Sequence, residues 1–234
     1  FFGAEIPIGK LKTDKKIKFS EVDNIGLLDK STKSKLLIGT IEEIWKSEQM
    51  NLDNISTKTP IDSSNMNPSN WGEITNLIKN NYTAYDSFVV LHGTDTMAYT
   101  ASALSFMLEN LEEAVILTGS QIPIGERRTD AKENLITSIE VAGSRSFGKA
   151  IVPEVCIYFS GKLVRGNRST KLKSMQLDAF HSPNFPDLAV VGIDVDLQQN
   201  LLLPASKPEF KRYNFDPEAV AIAPMYPGVP ASVS

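Results

Sequence analysis

Two kinds of apolar pattern alternate along the chain from about residue 61 onward. Unbroken β-branched and aliphatic runs occur in "DSFVVLHG" (86–93), "AVILTGSQ" (114–121) and "EVCIYF" (154–159). Runs of that length predict strands covered on both faces of a parallel sheet. Between them apolar residues recur at helical spacing. In "SSNMNPSNWGEITNLIKNNY" (63–82), Asn67 stands as a cap, Pro68 takes the first helical position, and Trp71, Ile74, Leu77 and Ile78 share a face. The segment "AYTASALSFMLENL" (98–111) places Ala101, Leu104, Leu108 and Leu111 on one helical face. "TDAKENLITSIEVAG" (129–143) predicts a third helix, with Asp130 and Glu133 as a capping box and Gly143 just past its end.

"EVCIYFSGKLVRGN" (154–167) reads as a strand, a glycine turn and a second short strand, and "LAVVGIDVDL" (188–197) as one further strand. Residues 1–60 are polar and uneven and read as a long surface excursion, with "KSKLLIGTIEEIW" (33–45) the one stretch of strand or short-helix character. "LLLPASKPEFKRYNFDPE" (201–218) is loop-like, and "AVAIAPMYPGVPASVS" (219–234) reads as a strand and the start of a helix. Repeated strand and helix predict an α/β fold with an open, mainly parallel sheet flanked by helices and right-handed crossovers.

Composition narrows the chemistry. With 234 residues, 41% of them hydrophobic, the chain can bury the core of one large domain or of one domain and part of a second. A formal net charge of −4, without a basic stripe, argues against nucleic acid. No apolar run approaches the roughly 18 residues of a membrane span. The single cysteine, Cys156, lies inside an apolar run and is expected as a buried, reduced thiol, which suits a reducing compartment. GxSxG, HExxH, CxxC, GxGxxG and GxxxxGK[ST] patterns do not occur, so a serine-hydrolase elbow, a zinc site and a phosphate loop all lack their usual residues.

In an open parallel sheet, ligands bind beyond the carboxyl ends of the strands. "GTDT" (93–96) occupies such an end. Taken alone it is explained by a tight turn at Gly93 and a helix cap from Thr94, Asp95 or Thr96. Three other loops offer matching chemistry: Asp62, Ser63 and Ser64 in "IDSSNM", Gly119 and Ser120 in "TGSQ", and Lys171 in "RGNRSTKLK". Each has a plain reading as a turn or a solvated surface. Together they describe an amino-acid pocket in which Thr94, Asp95 and Lys171 form a hydrogen-bonded chain, with the amine adjusting proton affinity at a threonine. Asp95 can instead pair with a substrate ammonium.

The blocks "LHGTDTMAYTASALSFMLENL", "VILTGSQIP", "IDSSNM" and "RGNRSTK" together closely resemble the type I, cytoplasmic-type L-asparaginases from about residue 58 onward. The resemblance implies hydrolysis of L-asparagine to L-aspartate and ammonia without a cofactor, by a two-domain α/β subunit in a homodimer or homotetramer. It assigns Thr94, Asp95 and Lys171 to the family's catalytic Thr–Asp–Lys group. Asp62 and Ser63 would hold the substrate's α-amino and α-carboxylate groups, and Ser120 would line its side-chain amide. It also implies a cytoplasmic protein, while the charge pattern and the short apolar runs are what argue against nucleic-acid and membrane partners.

The family's opening strand and "TGGT" loop, whose threonine is usually assigned as the primary nucleophile, have no counterpart here. Residues 1–200 are therefore expected to form the N-terminal catalytic domain without that strand and loop, 201–218 an interdomain linker, and 219–234 the start of a C-terminal domain. These 234 residues alone are expected not to turn over asparagine. "HGTDTMAYTASALSFM" is also similar to the asparaginase-like subunit of glutamyl-tRNA amidotransferases, although "TGSQIPIGERRTDAKENL" is nearer the type I pattern. A non-catalytic amino-acid-binding module is the third reading.

Overall fold

A computed structural model of the chain describes residues 61–205 and 209–220, together with the backbone of two strands, β1 (Ile17–Glu21) and β2 (Leu52–Ser56). The remaining strands of the main sheet are β3 (Ser87–Leu91), β4 (Ala114–Thr118), β5 (Val155–Phe159), β6 (Lys162–Arg165), β7 (Ala189–Val191) and β8 (Val195–Leu197). Their spatial order is β2-β1-β3-β4-β5-β6-β7-β8. The first five run parallel, and the last three join through antiparallel pairings.

Alternation along the strands divides the core. Val89, Ile116 and Cys156 lie in register and face a helix α3 (Ala131–Gly143) through Leu135, Ile139 and Ala142. Phe88, Val90, Leu117 and Ile157 face the opposite side, against helices α1 (Pro68–Asn81) and α2 (Met97–Met107) through Ile74, Ile78 and Leu104. Both faces are thus covered, as the continuous apolar runs of β3, β4 and β5 predict. Cys156 is fully buried, and burial raises its thiol pKa well above the ordinary value, so the thiolate is suppressed.

Helix α1 follows its sequence signals closely. The Asn67 side chain accepts from Ser69 N, Asn70 reaches back to Asn67 N, and Pro68 is the first helical residue.

Several expectations are corrected. Residues 1–60 are not wholly a surface excursion, because β1 pairs with both β2 and β3 inside the main sheet. The pairing joins segments about 70 residues apart in sequence (17–21 with 87–91), which short polar runs do not advertise locally. The stretch 33–45 lies outside the described residues. The second helix ends at Met107, not Leu111: Leu108 and Glu109 pair antiparallel with Lys211 and Arg212, and Asn110 turns the chain at φ 60°. Leu108 and Leu111 remain buried, so their apolar spacing reports burial rather than helix.

The capping box expected at α3 does not form either. Asp130 makes no side-chain cap, and its carboxylate accepts instead from the backbone N–H groups of Gln121 and Ile122. Gly143 is the last helical residue rather than the one beyond the helix. The run 188–197 is a hairpin, with β7 and β8 folded about Gly192. The segment 209–220 docks onto α1: Phe210 stacks on Tyr82 at 3.9 Å, and Arg212 donates to the Gly72 carbonyl and the Thr75 hydroxyl. The strand and helix start expected in 219–234 lie outside the described residues beyond Val220.

Candidate active site

The strand ends that build the site are fastened to one another. Beyond β3 and β4, which run in register to Leu91 and Thr118, His92 N donates to the Thr118 carbonyl at 2.8 Å. A Cβ on Gly119 would stand 2.2 Å from the His92 carbonyl oxygen, so only glycine fits at this crossing. Gly119 therefore serves the close approach of two backbones. From α3, Asn134 Nδ2 donates to the Gly119 carbonyl and Asn134 Oδ1 accepts from Ser160 N, which ties the ends of β4 and β5 together.

"GTDT" then leads into α2, and the structure decides what its side chains do. Thr96 is the N-terminal flanking residue of α2 but makes no side-chain cap; its hydroxyl donates to the Ser63 carbonyl at 2.7 Å. Gly93 is not at positive φ. A side-chain helix cap does not account for this stretch. Thr94 is buried, while Asp95 is exposed. Lys171 reaches between them from a short ladder in which Thr170 and Lys171 pair with His181 and Phe180. Its Nζ donates to Thr94 Oγ1 at 2.9 Å and to Asp95 Oδ1 at 2.8 Å. A lysine more than seventy residues away in sequence thus joins Thr94 and Asp95 in one connected group. The Asp95 side chain is 53% exposed, so this ion pair adds little to stability, and its value lies in placing the amine.

His92 supports the group from below. It is buried, and burial lowers its pKa to about 4, so the ring is neutral. Its Nδ1 lies 2.6 Å from the Gly93 carbonyl, an acceptor only, so Nδ1 carries the proton and Nε2 accepts from the Thr100 hydroxyl at 2.9 Å. Trp71 Nε1 in turn donates to Thr100 Oγ1 at 3.0 Å. The relay runs from α1 through α2 to the backbone immediately before Thr94.

Of the other expected residues, Ser63 opens a 3-10 turn (Ser63–Asn65), is fully buried, and its hydroxyl has no hydrogen-bond partner among the described residues. Asp62 is exposed, and hydrogen bonds from the Ser64 backbone and hydroxyl lower its pKa. Ser120 follows Gly119 beyond β4 and is half-buried. The structure therefore joins Thr94, Asp95 and Lys171 directly, and ties the Ser63 backbone to the same "GTDT" stretch through Thr96. Sequence reasoning missed His92, Thr100, Gln121, Asp130 and Asn134 as supports. Most of their partners lie on other elements, and no local spacing marks them. A cleft of about 550 Å³ between α1 and residues 212–217, lined in part by Gly72, Asn76 and Phe215, includes none of the Thr94 group. Among the described residues no cluster of three His, Cys, Asp or Glu side chains is placed to hold a metal ion.

Comparison with known proteins supplies independent information. Residues 18–203 match the family model described as Asparaginase, N-terminal. L-asparaginase 1 of Escherichia coli K12 is 46% identical over 176 residues, covering 75% of this chain and 51% of that protein. A mouse protein named 60 kDa lysophospholipase is 44% identical over 173 residues, covering 74% of this chain and 30% of its own length. The crystal structure of L-asparaginase I from Vibrio cholerae superposes with a TM-score of 0.79 at 37% identity, covering 94% of this chain and 67% of that one. A glutamyl-tRNA(Gln) amidotransferase component from Pyrococcus abyssi is more distant, 32% identical over 83% of this chain and 46% of its own. The chain spans about half the length of the Escherichia coli relative and under a third of the mouse one.

Proposed function

This chain belongs to the asparaginase family, and on that premise we propose that the whole protein hydrolyses the side-chain amide of L-asparagine, giving L-aspartate and ammonia. The observation that carries the proposal is the Lys171 amine, placed 2.9 Å from Thr94 Oγ1 and 2.8 Å from Asp95 Oδ1 at the carboxyl ends of parallel strands. A threonine hydroxyl is a weak nucleophile and a weak base unaided, and an adjacent amine that accepts and returns its proton makes it useful for attack on an amide carbon. Attack by a threonine oxygen forms an acyl ester as the C–N bond breaks, the proton taken up by the amine passes to the leaving nitrogen, which departs as ammonia, and one water then hydrolyses the ester to release aspartate and restore the hydroxyl. Asp95 holds the amine in place and balances its charge.

Substrate recognition is proposed for the neighbouring loops. The buried, unpartnered Ser63 hydroxyl is available to the substrate α-carboxylate, the Asp62 carboxylate suits the α-ammonium, and Ser120 lines the position of the side-chain amide. This chemistry requires no cofactor. In keeping with the family resemblance, the working unit is taken to be a cytoplasmic homodimer or homotetramer.

The test is ammonia release from L-asparagine by the full-length protein and its Lys171→Met variant. The parent is expected to turn over asparagine unaided, and the variant to lose about 10³-fold in kcat, within the range of a general acid–base group. Near-normal turnover by a well-folded Lys171→Met protein would remove the amine from the mechanism. Ammonia release only with a partner subunit present would favour the amidotransferase reading. Tight asparagine binding without turnover would favour a non-catalytic module.

A further inference from the structure

Thr94 has a second partner that the Thr–Asp–Lys group does not include. Gln121 Oε1 accepts from the Thr94 hydroxyl at 2.9 Å. The Nε2 of the same amide donates to the backbone carbonyls of Ser174 at 3.1 Å and Gln176 at 3.0 Å. An amide oxygen only accepts and an amide nitrogen only donates, so the direction of every bond in this chain is forced. Turning the amide over would set its oxygen against two carbonyl oxygens. The carbonyls of Ser174 and Gln176 therefore hold the amide in the one orientation that receives the Thr94 hydrogen. In this resting arrangement the hydrogen lies on Gln121 and an Oγ1 lone pair receives Lys171 Nζ at 2.9 Å; transfer of the proton to a neutral Nζ needs only a turn of the hydroxyl about a Thr94 side chain already held in place.

The two ends of Gln121 are anchored differently. Its backbone N–H is fixed by both oxygens of the Asp130 carboxylate at the start of α3. Its side chain ends on a loop whose tip is open to solvent, Met175 being 95% exposed. That loop is closed at its base by the Lys173–Asp178 ion pair at 2.5 Å and by backbone bonds from Leu172 and Lys173 to the Ala179 carbonyl. Lys171 directly precedes it. The loop thus meets the reactive group twice, through the chain at Lys171 and through the Gln121 amide at Thr94.

Building on the reading of the site given above, we propose that Gln121 is a positioning residue that couples the 172–178 loop to Thr94, its amide being oriented by the Ser174 and Gln176 carbonyls so that Thr94 Oγ1 presents a lone pair to Lys171. When the loop is in place the Thr94 side chain is held against Lys171; when the loop opens, Thr94 loses that support and its Oγ1 drifts from the amine. Small losses of alignment at a reacting group lower turnover without a matching loss of binding.

Three variants of the full-length protein test the link, each checked by thermal melting. Gln121→Ala removes both contacts. Gln121→Glu still accepts from Thr94 but cannot donate to the loop. Lys173→Ala opens the loop base and leaves Gln121 untouched, which preserves a test should the Gln121 variants fold poorly. Backbone hydrogen exchange at residues 174–178 is expected to rise about tenfold in all three. Values of kcat for asparagine are expected to fall roughly tenfold for Gln121→Ala and about threefold for Lys173→Ala, with KM within about twofold. In Gln121→Glu the ascending limb of the kcat profile is expected to move to higher pH, because an added carboxylate favours the charged form of a nearby amine. Unchanged loop exchange overturns the proposal. So does raised exchange with kcat and its pH profile unaltered. If the parent releases no ammonia from asparagine, the catalytic reading fails instead, and loop exchange alone decides the link: a rise supports it and no change overturns it.

Discussion

At the scale of single residues, the most informative side chain is a support that sequence reasoning missed. His92 neither binds metal nor attacks; it is a buried, neutral ring that passes a hydrogen bond from Thr100 to the Gly93 carbonyl. Its pKa is lowered by burial from 6.5 to about 4. As pH falls, the unfolded chain takes up this proton first, so the contribution is complete above about pH 6.5, lost progressively down to about 4, and constant below that. The loss is on the order of 3 kcal/mol. Urea unfolding of the intact protein across this range should show the slope, and His92→Gln should flatten it relative to the parent; an identical slope in the variant would assign the effect to other groups. Single side chains also settle what "GTDT" does. Its hydroxyls and acid do not cap α2 but reach outward to Ser63, Gln121 and Lys171.

Among elements, the decisive relation is the contact between the ends of β3 and β4. Gly119 is the residue on which it depends, since an added Cβ would meet the His92 carbonyl at 2.2 Å and the Met97 side chain at 2.9 Å. Gly119→Ala is expected to destabilise the protein by at least about 2 kcal/mol, as an overpacked site whose neighbour is backbone and cannot rotate aside. It should also lower kcat more than a surface substitution does, because the displaced backbone leads directly into Thr94. Thermal melting and asparagine kinetics on one preparation check both; an unchanged melting temperature would show that the crossing is looser than described.

Elements also differ in how legible they were. Asn67 and Pro68 announced α1 because a cap and a pre-set φ are local effects. Asp130 and Glu133 mimicked a capping box, but two backbone N–H groups from the loop after β4 competed for the Asp130 carboxylate and won. The periodicity of Leu104, Leu108 and Leu111 recorded burial faithfully and helix only in part, since Leu108 and Leu111 continue into the core after the helix has ended.

For the whole molecule, buried ion pairs fasten the ends of the sheet away from the site. Arg145, just after α3, donates to both oxygens of Glu113 at 2.8 to 3.2 Å and lies 3.4 Å from Asp86, joining the chain before β3 and before β4. Arg165 likewise joins Glu154 to the Leu201 carbonyl. Arg145→Met removes a guanidinium from two buried carboxylates and is expected to destabilise the protein by up to about 3–5 kcal/mol, with partial recovery on adding Glu113→Leu. Denaturant unfolding of the single and double variants measures both. A single variant within about 1 kcal/mol of the parent would mean that water replaces the guanidinium.

The sequence by itself determined the α/β class, the strands at 87–91, 114–118 and 155–159, the first helix with its cap, and the set of loops that bear polar chemistry. Each of these follows from periodicity or turn preference within about a dozen residues, where neighbours along the chain are also neighbours in space. Only the tertiary structure decided that β1 and β2 join the sheet and that Asp130 serves a loop rather than its own helix, whereas the Thr94–Asp95–Lys171 chain read from the sequence received from it only its distances. Tertiary structure alone placed Gln121 between that threonine and the 172–178 loop. Those outcomes depend on which distant donors and acceptors are brought within about 3 Å of each other. A short-range directional interaction between remote segments leaves no periodic trace along the chain.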